Sequence, residues 1–319
     1  MREIGGFFSF EDLINKEYYS ELIGINTATN AFAFLLKSSN FRKVYIPYYL
    51  CSVIGDMLKN YKYEFEYYHI NEDFTPNFSE YLEDDDLLYV VNYFGQLSNE
   101  KILLLKQKYK NIVLDNTHAF FQKPIKGIDT LYSCRKFFGV SDGAYLSTDK
   151  NVIVDLDEDN SRSRLTHLFG RYERNASEYY INYKKNEEKL TKIPIKKMSK
   201  LTKNLLGAID YENIRQIRNA NYAYLSNKLN KKNKINLITP DGAFAYPFYT
   251  KNGINVRKEL GRNNIYIPTL WPNVFQNMPE ESVEYRYASN ILALPCDQRY
   301  EKEDMDFIIQ CLDKFIGEN

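Results

Sequence analysis

The sequence predicts an α/β fold in which a mainly parallel sheet is sandwiched by helices, followed by a smaller C-terminal α+β domain. Short apolar segments alternate with helical patterns from Thr29 to about Ser147, and strands spaced by helices in this way imply parallel pairing. The segment from Asp86 to Asn92 is apolar almost throughout, as expected of a strand covered on both faces. Ligands of such sheets bind at the carboxyl ends of the strands, so the residues that follow each strand are the first candidates for a functional site.

Hydrophobic periodicity and turn residues divide the first half of the chain into its elements. Residues 99–110 repeat apolar positions at helical spacing, whereas residues 43–46 form a short apolar strand that ends before Pro47, a residue that cannot donate to a sheet ladder. The same signals predict further helices over 29–36 and 52–61, and further strands over 65–70, 86–92, 111–115, 130–133 and 144–147.

The second half of the chain changes character. Charged, tyrosine-rich helical patterns cover 177–190 and 211–229, and lysines are frequent over 185–203. Such a charge run is typical of a solvated helical face, and a surface for an anionic ligand or a partner subunit is the alternative. We therefore predict a cofactor-binding domain over residues 1–229, whose part 149–229 is helical, and a small α+β domain over 230–319. In the latter we expect strands over 244–249 and 265–268 and a closing helix over 303–315.

Composition excludes several classes of function. Among 319 residues, Lys and Arg number 42 and Asp and Glu number 42, so the formal net charge is zero. Binding of nucleic acid or of a membrane surface requires a basic excess, which is absent. The four cysteines form no CxxC pair and only three histidines occur, so we expect neither a metal site nor a disulfide framework, and a reducing, cytoplasmic location.

The most informative segment surrounds Lys136, which follows one predicted strand and precedes another, with two glycines between them. Asp115, 21 positions earlier, ends the predicted strand 111–115. Pyridoxal phosphate enzymes require such a pair, since the lysine forms the Schiff base and the aspartate keeps the ring nitrogen protonated. Arg135 adjoins the lysine, and the hydroxyl of Ser133 is close enough in sequence to reach the same phosphate. The alternative, that Lys136 and Arg135 are ordinary loop residues, is disfavoured by the flanking apolar strands and by the glycines, which allow close backbone approach.

Small and hydroxyl residues open the first predicted helix, in the segment that contains Ala28, Thr29 and Asn30. Free backbone amides at a helix start, with such side chains beside them, form an anion site. A simple helix cap is the alternative, so this segment indicates phosphate binding only in combination with the lysine segment.

Two segments follow buried strands. Asp115 is followed three residues later by His118; the aspartate could instead cap a turn, and a single histidine is more often half-buried structure than a ligand. Tyr93 and Gln96 follow the most apolar strand, in a loop with Gly95. Loops at such strand ends line sites, and a turn with core aromatics is the alternative.

Taken in order, these segments resemble the fold type I pyridoxal phosphate enzymes and, within them, the DegT-type nucleotide-sugar aminotransferases. The resemblance covers residues 24–148 and returns at 290–297. The matching segments are Ala28-Thr29-Asn30, Tyr45-Ile46-Pro47, Tyr93-Phe94-Gly95-Gln96, Asp115 with His118, Lys136 with Asp142-Gly143, and Leu294-Pro295.

The resemblance implies a role for each matching residue. Lys136 would bind pyridoxal 5'-phosphate and then act as general base, and Asp115 would pair with the ring nitrogen. His118 would contact the phenolic oxygen, Ala28, Thr29, Asn30 and Ser133 would hold the phosphate, and Tyr49 would cover the ring. Tyr93, Gln96 and Asn213, the last as part of Asn213-Ile214-Arg215, are the candidates for the substrate side.

The resemblance also implies partners: an amino donor such as glutamate, a nucleotide-linked keto sugar destined for a surface glycan, and a second copy of the chain in a homodimer. Ala28 and Ala144 stand where the family has glycine, which keeps open a catalytically idle binding or regulatory protein. A sugar dehydratase is the other alternative, but those members replace the lysine by histidine. A Rossmann-type nucleotide enzyme is disfavoured because no GxGxxG precedes the first helix.

Overall fold

The computed structural model describes residues 9–13 and 16–316. Its main sheet has eight strands, which are β1 (Ile23–Ile25), β2 (Lys43–Pro47), β3 (Glu64–Ile70), β4 (Pro76–Asn77), β5 (Asp86–Val91), β6 (Ile112–Asp115), β7 (Asp129–Ser133) and β8 (Ala144–Ser147). A second sheet pairs β9 (Tyr246–Tyr249) with β10 (Ile291–Leu294).

The main sheet has the order β1-β8-β7-β6-β5-β2-β3-β4. The five central strands, β7, β6, β5, β2 and β3, are parallel, while β8 and β1 on one side and β4 on the other are antiparallel to their neighbours. The register aligns Val91 with Asp115 and Asp115 with Leu131. The predicted mainly parallel sheet is therefore confirmed, and the strand ends that carry the candidate residues lie side by side at one edge.

Helices cover the sheet and build the second half of the chain. They are α1 (Ala28–Lys37), α2 (Ser52–Asn60), α3 (Asn99–Tyr109), α4 (Thr166–Glu173), α5 (Tyr180–Leu190), α6 (Lys200–Gly207), α7 (Tyr211–Leu229), α8 (Gly253–Arg262), α9 (Val274–Asn277), α10 (Val283–Asn290) and α11 (Lys302–Ile316). Every residue of β5 is buried, as its apolar sequence predicts, and α1 packs its buried face against β7 and β8. No described helix is both long and apolar enough to cross a membrane.

The C-terminal part attaches to the main sheet through a buried carboxylate. Glu284, on α10 and 1% exposed, accepts a hydrogen bond of 2.7 Å from the backbone amide of Ile70 at the end of β3. Helix α11 packs on α7 and α8, so the helices on both sides of residue 229 share one apolar core. The proposed domain boundary at 229/230 stays a prediction.

The predicted strand over 265–268 is wrong. Ile265 and Ile267 are buried while Tyr266 is 66% exposed, so the alternation that suggested a strand is real. The segment nevertheless has no strand partner among the described residues, and Pro268 lacks an amide to donate. Alternating burial here comes from a chain that lies on the surface of the core, without sheet pairing.

Candidate active site

Asp115 is the last residue of β6 and is buried, with 5% exposure. Its carboxylate accepts hydrogen bonds from the hydroxyl of Tyr89 (2.8 Å) and from the backbone amide of Thr117 (2.9 Å). Burial raises the pKa of Asp115, and these bonds together with the nearby charge of Lys136 oppose that rise. The carboxylate is thus held in one orientation, with a cation as its favoured partner.

Lys136 ends a short 3₁₀ turn, Cys134–Lys136, that follows β7. Its side chain is accessible from solvent, yet its amine is crowded by protein atoms. Burial of the amine, followed by the charge of Arg135, lowers the pKa of Lys136, while Cys51 and Asp115 raise it. Because both leading causes favour the neutral form, Lys136 is primed to act as a nucleophile and a base.

The backbone of the lysine segment is anchored by residues remote in sequence. The carbonyl of Phe137 accepts hydrogen bonds from Gln298 Nε2 (2.8 Å) and Arg218 Nη2 (3.2 Å). Arg218 is 2% exposed, donates to Ala243 O and Gln298 Oε1, and lies over the Phe137 ring at 4.6 Å. Sequence analysis missed Arg218, whose only signal is an arginine on the buried face of α7.

Downstream of Lys136, Asp142 and Gly143 contact the start of α6. The fully buried Asp142 accepts hydrogen bonds from Ser199 N (3.0 Å), Ser199 Oγ (2.9 Å) and the hydroxyl of Thr202. Gly143 has φ 113°, and a Cβ there would lie 3.0 Å from Thr202 Cγ2. A side chain would therefore be strained at this position, which explains the glycine before β8.

His118 is 4% exposed, and its Nδ1 is buried without a hydrogen-bond partner among the described residues. Its ring stacks on Phe244 (centroids 4.0 Å apart, 8° between planes) and lies 5.7 Å from Trp271. Burial, and then the charge of Lys136, lower the pKa of His118 to about 3. The imidazole is therefore neutral at physiological pH and has one nitrogen available for a ligand.

The start of α1 supplies free donors. The backbone amides of Ala28 and Thr29 have no acceptor among the described residues, and Thr27 caps the helix by accepting from Asn30 N at 3.1 Å. Ser133, at the end of β7 and 7% exposed, has a hydroxyl with no protein partner in the described chain. These three residues, Ala28, Thr29 and Ser133, have donors left over for a phosphate.

Asn30 has another role than the phosphate contact expected of it. Its Nδ2 donates to Asn26 Oδ1 (2.9 Å), Pro194 O (3.0 Å) and Ile193 O (3.2 Å). All of its donors are thus used to attach α1 to the segment before α6. The reason is that this polar side chain points from the buried side of the helix, which the local sequence does not reveal.

Tyr49 lies in a cluster of aromatic rings, and its expected role of covering the cofactor ring stays a prediction. It is 1% exposed, and its ring packs edge-on against Trp271 (4.4 Å) and beside Tyr93 (5.2 Å). Two residues later, Cys51 precedes α2, and the charges of Lys136 and Asp115 act on its thiol. Cys51, to which sequence analysis assigned no role, therefore lies near Lys136 and Asp115.

The three candidates for the substrate side carry other contacts. Tyr93 is buried and donates to Tyr49 O (2.7 Å), and Gln96 exchanges hydrogen bonds with the backbone of Ile238 at 2.8 and 3.2 Å. Asn213 is exposed on the first turn of α7. Its neighbour Arg215 pairs with Glu212 and Asp241 on the surface. Their roles toward a substrate stay predictions.

The residues present fit pyridoxal phosphate. The buried, unpartnered Nδ1 of His118 marks a place for a polar ligand atom, since such an atom otherwise costs about 1–3 kcal/mol. Lys136 could hold the aldehyde carbon, Asp115 the ring nitrogen, and Ala28, Thr29 and Ser133 the phosphate. The donor set thus includes an amine, a carboxylate and an oxyanion cradle at one edge of the sheet.

The fold matches solved aminotransferases. A DegT DnrJ EryC1 StrS aminotransferase from Brucella abortus aligns with a TM-score of 0.62 at 14% identity, over 93% of this chain and 86% of that chain. PseC from Helicobacter pylori, an aminotransferase involved in the biosynthesis of pseudoaminic acid, aligns with a TM-score of 0.62 at 13% identity. The alignment covers 93% of this chain and 86% of that chain. NtdA from Bacillus subtilis, solved with the cofactor PMP bound, aligns with a TM-score of 0.65 at 15% identity. The alignment covers 93% of this chain and 73% of that chain.

No protein-family model and no curated protein matches the sequence. At 13–15% identity, the structural likeness establishes the fold, and the predicted fold type I architecture is confirmed. Function rests on the site's own residues.

His118 should make the protein sensitive to acid. Its pKa is depressed in the folded chain, so the unfolded chain binds the extra proton, and stability that is full above about pH 6.5 is lost as the pH falls toward 3. By linkage this loss amounts to about 2 kcal/mol between pH 7.5 and pH 5. His118→Phe, which keeps an aromatic ring in the stack, should therefore lose about 2 kcal/mol less over that interval. Urea unfolding at both pH values measures the difference, and equal losses in the two proteins would show that His118 is not buried in its neutral form.

Proposed function

We propose that the protein is a pyridoxal phosphate-dependent aminotransferase that acts on a nucleotide-linked keto sugar, with glutamate as the amino donor. The observation that carries this proposal is the juxtaposition of the Lys136 amine, the buried Asp115 carboxylate and the unpartnered His118 nitrogen at the carboxyl ends of neighbouring strands. The sugar assignment is supported by the names of structural neighbours such as PseC and the sugar aminotransferase CalS13 from Micromonospora echinospora.

Bound pyridoxal phosphate supplies an aldehyde that links to amines and a ring that accepts electrons. Lys136 would hold the cofactor through its amine and, once the substrate amine has released it, its Nζ would serve as the base that takes up and returns a proton. The lowered pKa of Lys136 leaves that nitrogen unprotonated at lower pH than an exposed lysine.

The other residues set the charge and position of the ring. Asp115 would stabilise a protonated ring nitrogen, and the hydroxyl of Tyr89 and the amide of Thr117 hold its carboxylate in one orientation. His118 contributes an uncharged hydrogen-bonding nitrogen, which does not compete with Asp115 for the ring proton. The amides of Ala28 and Thr29 and the hydroxyl of Ser133 bind the phosphate at a helix start, where the dipole favours an anion.

We also propose that the protein is a cytoplasmic homodimer that serves the synthesis of a surface glycan. All four cysteines are free thiols, which supports a reducing compartment. Large apolar side chains are exposed together on α4 and α5, including Phe169 (56%), Tyr172 (92%) and Ile181 (67%). Exposed apolar residues grouped in this way mark a surface for protein association.

Lys136 should be the lysine that binds the cofactor. After incubation with pyridoxal phosphate, borohydride reduction and digestion, mass spectrometry should find the cofactor on the peptide that contains Lys136. Lys184, exposed on α5, serves as the internal control and should stay unlabelled. Addition of glutamate to the unreduced protein should change its visible absorbance and release the keto acid, and keto-sugar nucleotides should reverse the change. Label spread over surface lysines, or a labelled protein that never responds to any amino donor, would favour the catalytically idle alternative.

Asp115→Asn should lower turnover much more than cofactor content. The neutral amide cannot stabilise a protonated ring nitrogen, so turnover should fall by roughly two orders of magnitude or more. The phosphate contacts remain, so at least half of the cofactor should be retained. Tyr89→Phe is the control, because it removes one hydrogen bond to the carboxylate and leaves the charge. Turnover and the cofactor-to-protein ratio are measured on all three proteins, and an Asp115→Asn protein with full turnover would reduce Asp115 to a structural residue.

The apolar surface of α4 and α5 should be the dimer contact. Light scattering should give twice the mass of one chain, and Phe169→Lys combined with Tyr172→Lys should shift the population toward monomer. Tyr81→Lys is the control, since the exposure of Tyr81 (74%) lies between those of Phe169 and Tyr172, and Tyr81 lies between β4 and β5. A monomeric wild-type chain, or a double variant that remains dimeric, would contradict this assignment.

A further inference from the structure

A small basic pocket lies between α4 and α5, apart from the residues assigned to the cofactor. It encloses about 80 Å³, close to the size of a single tetrahedral oxyanion. The residues that matter for its chemistry are Arg164, Thr166, His167, Lys185, Asn186 and Lys189.

The spacing of the sequence builds this pocket. Lys185 and Asn186 lie four and three residues before Lys189, so each is a neighbour of Lys189 on the surface of α5. Opposite them, α4 begins at Thr166, and the amides of Thr166 and His167 have no acceptor among the described residues. Two ammonium groups and the positive end of a helix therefore converge on the same small volume.

Two buried side chains leave atoms unpaired beside it. Arg164 is 8% exposed and donates from Nη2 to Asp159 Oδ2 at 2.8 Å, but its Nε is buried without a partner. Asn186 is 4% exposed and donates from Nδ2 to Ser141 O at 3.3 Å, which fixes its amide. Its Oδ1 is then a buried acceptor without a donor. Leaving such buried atoms unpaired is unfavourable, and a ligand that both accepts and donates would satisfy them.

We propose that this pocket binds a phosphate group that carries one proton. Its oxygens accept from Arg164 Nε, from the two lysines and from the start of α4, and its hydroxyl donates to Asn186 Oδ1. Asp159 already offsets the charge of Arg164, so Lys185 and Lys189 supply the positive charge that attracts the anion. The ligand is either free inorganic phosphate or the terminal phosphate of a nucleotide.

Occupancy of the pocket would be transmitted to the lysine segment. Asn186 is bonded to Ser141, five residues after Lys136, and Glu187, next on α5, pairs with Arg135. A phosphate held by α4 and α5 would therefore fix the residues on both sides of Lys136. The inference does not require the aminotransferase proposal, since the pocket shares no residue with the assigned cofactor contacts.

Isothermal titration of the full-length chain, saturated with pyridoxal phosphate, tests the proposal with three probes: inorganic phosphate, sulfate and UDP. Phosphate should bind one per chain, and sulfate, which has no proton to donate at neutral pH, should bind at least about tenfold more weakly. The double variant Lys185→Gln, Lys189→Gln should weaken phosphate binding by about tenfold or more. Lys184→Gln, on the same helix but outside the pocket, should bind phosphate as the wild type does.

Both lysines are exposed, so the variants should fold, and melting temperatures without phosphate confirm it. UDP that binds more tightly than phosphate, with the same dependence on the lysines, identifies a nucleotide as the source; tighter binding of inorganic phosphate identifies the free ion. Absence of binding, binding unchanged in the double variant, or sulfate as tight as phosphate would overturn the proposal. Cofactor content of the double variant, measured in parallel, separates this outcome from a failure of the cofactor site.

Discussion

The site depends on one buried interaction, the pair of hydrogen bonds that Arg218 and Gln298 donate to the carbonyl of Phe137. A guanidinium removed from water costs several kcal/mol unless its donors are used. Arg218 uses them on two carbonyls and on Gln298, so its position is fixed by every element it contacts. The residue after Lys136 is thereby anchored to α7 and to the segment that follows β10. The backbone next to Lys136 is therefore held in place, as the proposed role of this lysine requires.

Polar residues at the strand ends serve two purposes, internal hydrogen bonding and ligand contact, which the sequence alone does not distinguish. Asn92 donates hydrogen bonds to Asn116 and Gln122 at 3.0 and 2.6 Å. Both amide atoms of Gln96 form hydrogen bonds with the backbone of Ile238. Asn92 and Gln96 thus use their amides on other side chains and on the backbone. Asp115 and His118, by contrast, retain unused capacity toward a ligand. The distinction lies in the number of partners each side chain finds in three dimensions.

The parts of the molecule that could be predicted are those specified by local sequence. The parallel sheet, β6 ending at Asp115 and the lysine between two strands all follow from periodicity and from glycine positions. The contacts of Asn30 and Tyr49 could not be predicted, because their partners Pro194 and Trp271 are remote in sequence. Arg218 acts on Phe137 across 81 positions, and the pocket of α4 and α5 combines residues of two helices. A residue type at the correct spacing indicates a candidate, but burial and remaining hydrogen-bond capacity decide its task.

Electrostatics around Lys136 then join the two candidate sites. The charge of Arg135 favours the neutral amine of Lys136, and the charge of Asp115 favours its ammonium form. The protonation of Lys136 therefore depends on which other charged groups pair with Arg135 and with Asp115. Glu187 of α5 balances Arg135, and the ring nitrogen of the cofactor would balance Asp115. Because Glu187 adjoins Asn186, α5 connects the basic pocket to Arg135, the residue before Lys136. The helical segment after residue 149, which composition alone indicates to be a solvated surface, thus lies within electrostatic reach of the Lys136 amine.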